Sequence, residues 1–184
     1  FIPHTTKSLR TIRGEKDFIY FPSCIPMQLG QPKSDSYLSL AESFVTIAQR
    51  ANINLQIPDD ATGHCCGMPF ASKGYKQAYQ ATLHKALQQM WTWSEHGKYP
   101  IVIDTTSCTH TLRTCSDDLS AADNAIWKNL TLLDGIEFLH DHLLHFLPPG
   151  RARGREEVDP RHVENGSRHA ASVHVPVSLS GGLA

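Results

Sequence analysis

The sequence predicts an α/β domain in which helices cover both faces of a mainly parallel β-sheet, which makes three layers. Two observations support this prediction. Short apolar runs at residues 17–22, 53–57 and 99–104 have the length of buried strands. Longer segments with an apolar stripe at helical spacing separate these runs. Strands that alternate with helices are joined by right-handed crossovers, so we expect parallel strands whose carboxyl ends share one edge of the sheet.

The first half of the chain is expected to contain two of these strands and one helix. After the strand at 17–22 comes a turn-rich loop, Cys24–Lys33, which two prolines and a glycine interrupt. Ser34 or Asp35 can cap the helix that follows. A second strand lies at 53–57. The apolar stripe of the helix consists of Tyr37, Leu40, Ala41, Phe44, Val45 and Ala48.

The second half contains the clearest helical period. Ser72 is expected to cap a long helix that Gly97 ends. A third strand follows at 99–104, and two further helices are predicted at about 119–129 and 135–147. This alternation is typical of a Rossmann-like fold, in which loops after the carboxyl ends of the strands bind ligands. The apolar stripe of the long helix includes Tyr75, Ala78, Tyr79, Leu83, Ala86, Leu87, Met90 and Trp91.

Composition excludes several classes of protein. At 184 residues, one domain with a substantial core is the expectation. The 17 Lys and Arg residues nearly balance the 18 Asp and Glu residues, so a nucleic-acid partner is not expected. No apolar run approaches the ~20 residues that cross a bilayer, so we expect no transmembrane segment. Five cysteines, placed after strands, suit metal binding in a reducing cytoplasm better than a secreted disulfide framework.

The two ends of the chain lack the pattern of the middle. Residues 1–14 are polar and are interpreted as a linker. The predicted domain spans 15–147. Residues 148–171 are rich in charge and almost free of apolar side chains, so we interpret them as a flexible linker. In the last segment, 172–184, the stretch Ser172–Ser178 has the composition of one more strand.

The cysteines form the most informative pattern. Cys65 and Cys66 are adjacent, and adjacent cysteines are difficult to join in a disulfide without strain. Gly67 follows them and lets the backbone pass close to a bound centre, since it has no β-carbon. Cys24 and Cys108 each follow a predicted strand, so three loops bring four thiols to one edge of the sheet.

Three interpretations of these thiols remain open. Four thiolates are the usual ligands of iron–sulfur clusters. Zinc also accepts four thiolates, but structural zinc sites usually space their ligands as C-x₂₋₄-C, which is absent here. The plainest alternative is that the cysteines are small buried hydrophobic residues near strand ends.

Three segments resemble the cysteine-rich CCG domain of the glycolate oxidase iron–sulfur subunit and the heterodisulfide reductase B subunit. They are Tyr20–Cys24 (YFPSC), Cys65–Tyr75 (CCGMPFASKGY) and Asp104–Thr109 (DTTSCT). The likeness is greatest to the C-terminal iron–sulfur portion of FAD-linked D-lactate dehydrogenases. A fourth segment, His174–Ser178, resembles the opening strand of a second CCG repeat, with Val177 in place of cysteine. The end of the chain is therefore expected to begin a second, degenerate repeat.

The resemblance implies an electron-transfer module that relays electrons from FAD to a quinone or a cytochrome. FAD would be bound by a flavin domain of the same polypeptide or complex. Phe1 stands where an initiator methionine is expected, so we expect a fragment of an oxidoreductase, cytoplasmic or peripheral to the cytoplasmic membrane. No residue resembles a general base for hydroxy-acid oxidation, and no catalytic residue is assigned. The implied ligands of a 4Fe–4S cluster are Cys24, Cys65, Cys66 and Cys108, with His64, Gly67 and His110 packed beside them.

One departure from the family bears on the alternatives. The last motif of the family is C-x-x-C, and Thr111 stands where its second cysteine is expected. The D-lactate dehydrogenase branch often lacks that cysteine, whereas heterodisulfide reductases use the full set. Two alternatives are retained: a zinc-binding or metal-free structural module that docks a flavin domain, and a thiol–disulfide redox domain of the heterodisulfide reductase type.

Overall fold

The computed structural model describes residues 16–29 and 38–146. Strands and helices alternate through this part of the chain. The strands are β1 (Phe18–Phe21), β2 (Leu55–Gln56), β3 (Ile101–Ile103) and β4 (Leu132–Asp134). The helices are α1 (Cys24–Leu29), α2 (Leu40–Arg50), α3 (Met68–Ala71), α4 (Lys76–Trp93), α5 (Thr106–Arg113), α6 (Ala121–Trp127) and α7 (Gly135–Phe138). A π-helical turn, Leu139–Leu143, and a 3₁₀ turn, Leu144–Phe146, continue α7.

The four strands form one parallel sheet in the order β2-β1-β3-β4. The registers place Phe21 beside Ile103 and Ile103 beside Asp134, so the strands end at a common edge. All three residues of β3 are fully buried, as expected for a central strand of a parallel sheet. The predicted α/β class and parallel sheet are confirmed.

Side chains of β1 show how helices cover both faces. Successive residues of a strand point to opposite faces. Tyr20 stacks on Phe44 of α2 with ring centroids 5.4 Å apart, whereas Phe21 contacts Trp93 of α4 at 5.5 Å. Phe18, on the same face as Tyr20, packs edge-on against Phe138 of α7. The sheet is therefore the middle of three layers.

Two helices bury most of the apolar stripes predicted for them, but their starts differ from the prediction. Tyr37 lies outside the described residues, and Tyr75 precedes α4 and is exposed. Ser39 caps α2 in a reciprocal capping box with Glu42, so the prediction of Ser34 or Asp35 is wrong. Ser72 is not the cap of α4 but ends α3, where its hydroxyl donates to the carbonyl of Pro69. The helix α4 begins after Tyr75 without a side-chain cap, and it ends at Trp93 rather than at Gly97.

Three other parts of the fold differ from what the sequence analysis predicts. The stretch after Cys24 is not a loop throughout, because α1 forms with Pro26 in its first turn, where a backbone N–H has no partner in the helix. Cys108 lies in α5 rather than in a loop. The strand β4 was not predicted, since two leucines and an aspartate are too short a run to show a period.

Three predicted segments lie outside the described residues: the linkers at 1–14 and 148–171 and the segment 172–184. Within the described ranges, none of the helices combines the length and the apolar character needed to cross a membrane.

Candidate metal centre

The cysteines lie where the strand order reverses. The chain leaves β1 toward β2 on one side and leaves β3 toward β4 on the other, so the connections after these two central strands diverge. Ligands of open α/β sheets bind in the crevice at such a switch point. Cys24 opens α1 directly after β1, and Cys108 lies in the first turn of α5 after β3. The pair Cys65–Cys66 precedes α3, on the connection after β2.

Each of the four thiols interacts with the next, and we call this series of contacts the thiol line. Cys24 hydrogen-bonds with Cys65, Cys65 with Cys66, and Cys66 with Cys108. All of them are free thiols. Three segments that are distant in sequence bring these side chains together, as predicted. Their role as metal ligands stays a prediction.

These interactions shift the pKa values of the thiols in different directions. The hydrogen bond between Cys65 and Cys66, together with burial, raises the pKa of the Cys65 thiol. The hydrogen bond with Cys108 raises the pKa of Cys66 to about 11. The same bond lowers the pKa of Cys108, because its thiolate accepts from Cys66. Burial and the neighbouring Cys65 raise the pKa of Cys24. A metal bound here must therefore displace protons, since thiolates are the ligands.

Backbone N–H groups also contact the pair. The N–H of Gly67 donates to Sγ of Cys65 at 3.4 Å, and the N–H of Met68 bonds with Cys66. Gly67 has φ +84°, and a β-carbon there would lie 2.7 Å from Cδ2 of Tyr79. The backbone thus passes between the thiols and α4 in a way that only glycine permits.

A cavity adjoins one end of the thiol line. Its volume is about 510 Å³, and Cys24 and Cys65 both line it. These two cysteines are half-buried, while Cys66 and Cys108 are buried at 2 % and 5 % exposure. Among the described residues, none that lines the cavity carries a carboxylate, lysine or arginine; its walls are mostly apolar, with Pro22, Met27, Pro69 and Phe70 among them. Cys24 and Cys65 therefore face a mostly apolar pocket.

The two histidines predicted to lie beside the ligands occupy different environments. His64 lines the cavity and packs edge-on against Trp93, with ring centroids 5.3 Å apart. His110 lies on α5 with an exposed side chain. Cys115 is buried apart from the four, donating to the carbonyl of Leu112 at 3.2 Å.

One network at the site was not predicted from the sequence. Oδ1 of Asp104 accepts hydrogen bonds from the backbone N–H of Ser23 at 2.9 Å and the hydroxyl of Thr105 at 3.1 Å. Its Oδ2 accepts from the hydroxyl of Tyr20 at 2.8 Å. The hydroxyls of Ser23 and Thr105 also bond with each other at 2.6 Å. The polar run directly after the buried β3 was the available signal for this network.

The donor set of the candidate site consists of soft thiols. In the part of the chain that the structure describes, no three His, Cys, Asp or Glu side chains are grouped to hold one metal ion. Four thiolates are the usual ligands of an iron–sulfur cluster, and soft thiol donors suit both iron–sulfur clusters and zinc.

Comparison with known proteins places this region in a family. Residues 18–113, just over half of the chain, match the family described as Cysteine-rich domain (CCG). The match begins at β1 and ends with α5, so it includes all four thiols of the line. No curated protein and no solved structure matches the chain.

Proposed function

The chain belongs to the CCG cysteine-rich domain family, and we propose that it is the iron–sulfur electron-transfer module of an FAD-linked 2-hydroxy-acid dehydrogenase. The family match indicates an iron–sulfur or metal-binding redox module. The 4Fe–4S type, the D-lactate dehydrogenase context, the flavin domain as electron donor and a quinone or cytochrome as acceptor are the further parts of the proposal.

The line of four thiols is the observation that carries the proposal. Cys24, Cys65, Cys66 and Cys108 would hold the cluster, which supplies reversible one-electron oxidation and reduction when bound. The protein's contribution is to position these thiols at the switch point. Cys66 and Cys108 are shielded from water, and Cys24 and Cys65 face the cavity. A redox partner would therefore approach from the side of Cys24 and Cys65.

The two retained alternatives have less support. A mononuclear zinc site would require three or four ligands around one point, and the described residues contain no such group. Thiol–disulfide chemistry of the heterodisulfide reductase type lacks the second cysteine of C-x-x-C. The position of that cysteine is occupied by Thr111, whose hydroxyl donates to the carbonyl of Ser107 at 2.8 Å.

The test is metal analysis of the protein purified without oxygen and reconstituted with iron(II) and sulfide. We expect about four iron and four sulfide per chain, and an electron paramagnetic resonance signal on reduction. Cys66→Ser replaces a soft thiolate with a hydroxyl that stays protonated, so it should lose most of the bound iron.

Cys115→Ser is the matched control, because Cys115 is as buried as Cys66 but lies outside the thiol line. It should keep the iron content of the wild type. Stoichiometric zinc in place of iron would favour the structural alternative. Full iron content in Cys66→Ser would remove the proposed ligand set.

A further inference from the structure

We propose that Asp104 is a positioning residue that joins the Cys24 and Cys108 segments and sets the reduction potential of the metal centre through its negative charge. This inference rests on the proposed iron–sulfur function. It concerns a side chain that is not one of the thiol ligands.

The carboxylate joins two segments that are far apart in sequence. Its bond to the N–H of Ser23 holds the residue directly before Cys24. Its bond to Thr105 holds the residue directly before α5, and the carbonyl of Thr105 in turn accepts from the N–H of Cys108 at 2.9 Å. A change at Asp104 therefore reaches both outer thiols through a single intervening residue.

Three donors surround the carboxylate of Asp104: the backbone N–H of Ser23 and the hydroxyls of Tyr20 and Thr105. Tyr20, one of the donors, remains protonated because burial and the charge of Asp104 both raise its pKa.

That charge has no cationic partner among the described residues. The ion pairs of this part of the chain involve other carboxylates, including those of Glu95, Asp123 and Glu137. The carboxylate lies between the two outer thiols, because it bonds to the backbone of Ser23 directly before Cys24 and to Thr105, whose carbonyl accepts from the N–H of Cys108. The carboxylate is thus within electrostatic reach of the centre that these thiols would bind.

A fixed negative charge beside a cluster disfavours the addition of an electron. Net charge near the cluster is one of the quantities that set its potential, and the attraction or repulsion is strong where water is excluded. Asp104 should therefore keep the potential lower than it would be with a neutral side chain. The tyrosine hydroxyl partly offsets this charge, since it directs its proton at the carboxylate.

The experiment compares midpoint potentials of iron-loaded variants, measured by redox titration followed by electron paramagnetic resonance. Asp104→Asn keeps the size of the side chain and removes the charge, so its potential should shift upward. Tyr20→Phe keeps the packing but removes a donor from the carboxylate, so its potential should shift downward. Opposite shifts are not expected from a merely structural loosening of the site.

Asp17→Asn is the control for the loss of one charge. Asp17 also accepts a hydrogen bond from a backbone N–H, that of Asn54 at 2.8 Å, but it precedes β1 at the opposite edge of the sheet. The midpoint potential of the Asp17→Asn variant should equal that of the wild type. The positioning role has a separate readout in metal-free protein, where amide hydrogen exchange at Ser23 should be several-fold faster in Asp104→Asn, because a neutral acceptor bonds more weakly.

The outcomes separate this inference from the proposed function. Normal iron content with an unchanged potential in both Asp104→Asn and Tyr20→Phe overturns the role of Asp104 in setting the potential and leaves the iron–sulfur function intact. Absence of iron from the wild type overturns both. If Asp104→Asn does not fold, a Tyr20→Phe potential at or above that of the wild type still overturns the inference.

Discussion

At the scale of single residues, Gly67 carries the strictest steric requirement near the thiols. Gly67→Ala places a methyl group against the ring of Tyr79, a buried side chain of α4, in a backbone conformation with positive φ. Backbone strain and overpacking should together lower the free energy of unfolding by about 2–4 kcal/mol. Urea denaturation of the metal-free protein measures this loss.

Gly74→Ala is the control, since Gly74 has φ +74° but open space around the added methyl group. It should lose only the backbone contribution, about 1–2 kcal/mol. Equal losses in the two variants would show that the contact with Tyr79 is unimportant. The difference between them isolates the cost of crowding α4.

At the scale of elements, Arg113 at the end of α5 connects β4 and α7. Its guanidinium donates to both carboxylate oxygens of Glu137 and to the carbonyl of Leu132. Glu137 also accepts from the N–H of Asp134 in the capping box of α7. The contact with Arg113, followed by the bond from Asp134, lowers the pKa of Glu137 to about 2.

This pair should make stability depend on pH in acid. Because the pKa of Glu137 is lower in the folded state than its ordinary 4.5, the stabilisation is complete above about pH 4.5 and is lost as the pH falls toward 2. Glu137→Gln should lose about 1 kcal/mol at pH 7, a modest value because both side chains are partly exposed to solvent. The variant should also show a flatter decline in melting temperature between pH 4.5 and 2.

Asp117→Asn provides a comparison, because Asp117 is an exposed carboxylate whose hydrogen bond within the described part of the chain comes from its neighbour Ser116. Its acid dependence should match that of the wild type. A Glu137→Gln profile identical to the wild-type profile would mean that solvent screens the pair completely.

The elements differ in how far the sequence could predict them. β1, β3 and α4 were predicted because each places enough apolar residues in a row to show its period. β4 could not be, since its three residues depend on pairing with β3 rather than on their own pattern. α1 was missed because Pro26 indicates a turn, and only the folded chain shows that it occupies a position where proline is tolerated.

The candidate site was likewise predictable only in part. The four cysteines could be named from their spacing and from the strands before them. The bonds of Asp104 to Tyr20 and Ser23 could not, because they join residues that approach each other only when β1 and β3 pair. The placement of His64 and His110 beside the ligands was predicted from sequence neighbourhood alone. In the structure the ring of His64 packs on Trp93 and the side chain of His110 faces solvent.

At the scale of the whole molecule, the order of the strands has a consequence for assembly. The thiols meet only after β1 has paired with both β2 and β3, so the unfolded chain has no preformed site. We expect the protein in urea to bind iron(II) and sulfide no better than Cys66→Ser does. Iron retention after removal of excess metal, followed during refolding, should appear together with or after the recovery of tertiary structure.

Once formed, a centre held by all four thiols would cross-link the three segments that carry them. It would close one loop between Cys24 and Cys65 and another between Cys66 and Cys108. Because such a centre would bind the folded sheet and not the unfolded chain, its binding free energy would add to the stability of the fold. Loss of the centre would remove that stabilisation, so oxidative damage at the thiols should lower the melting temperature of the domain.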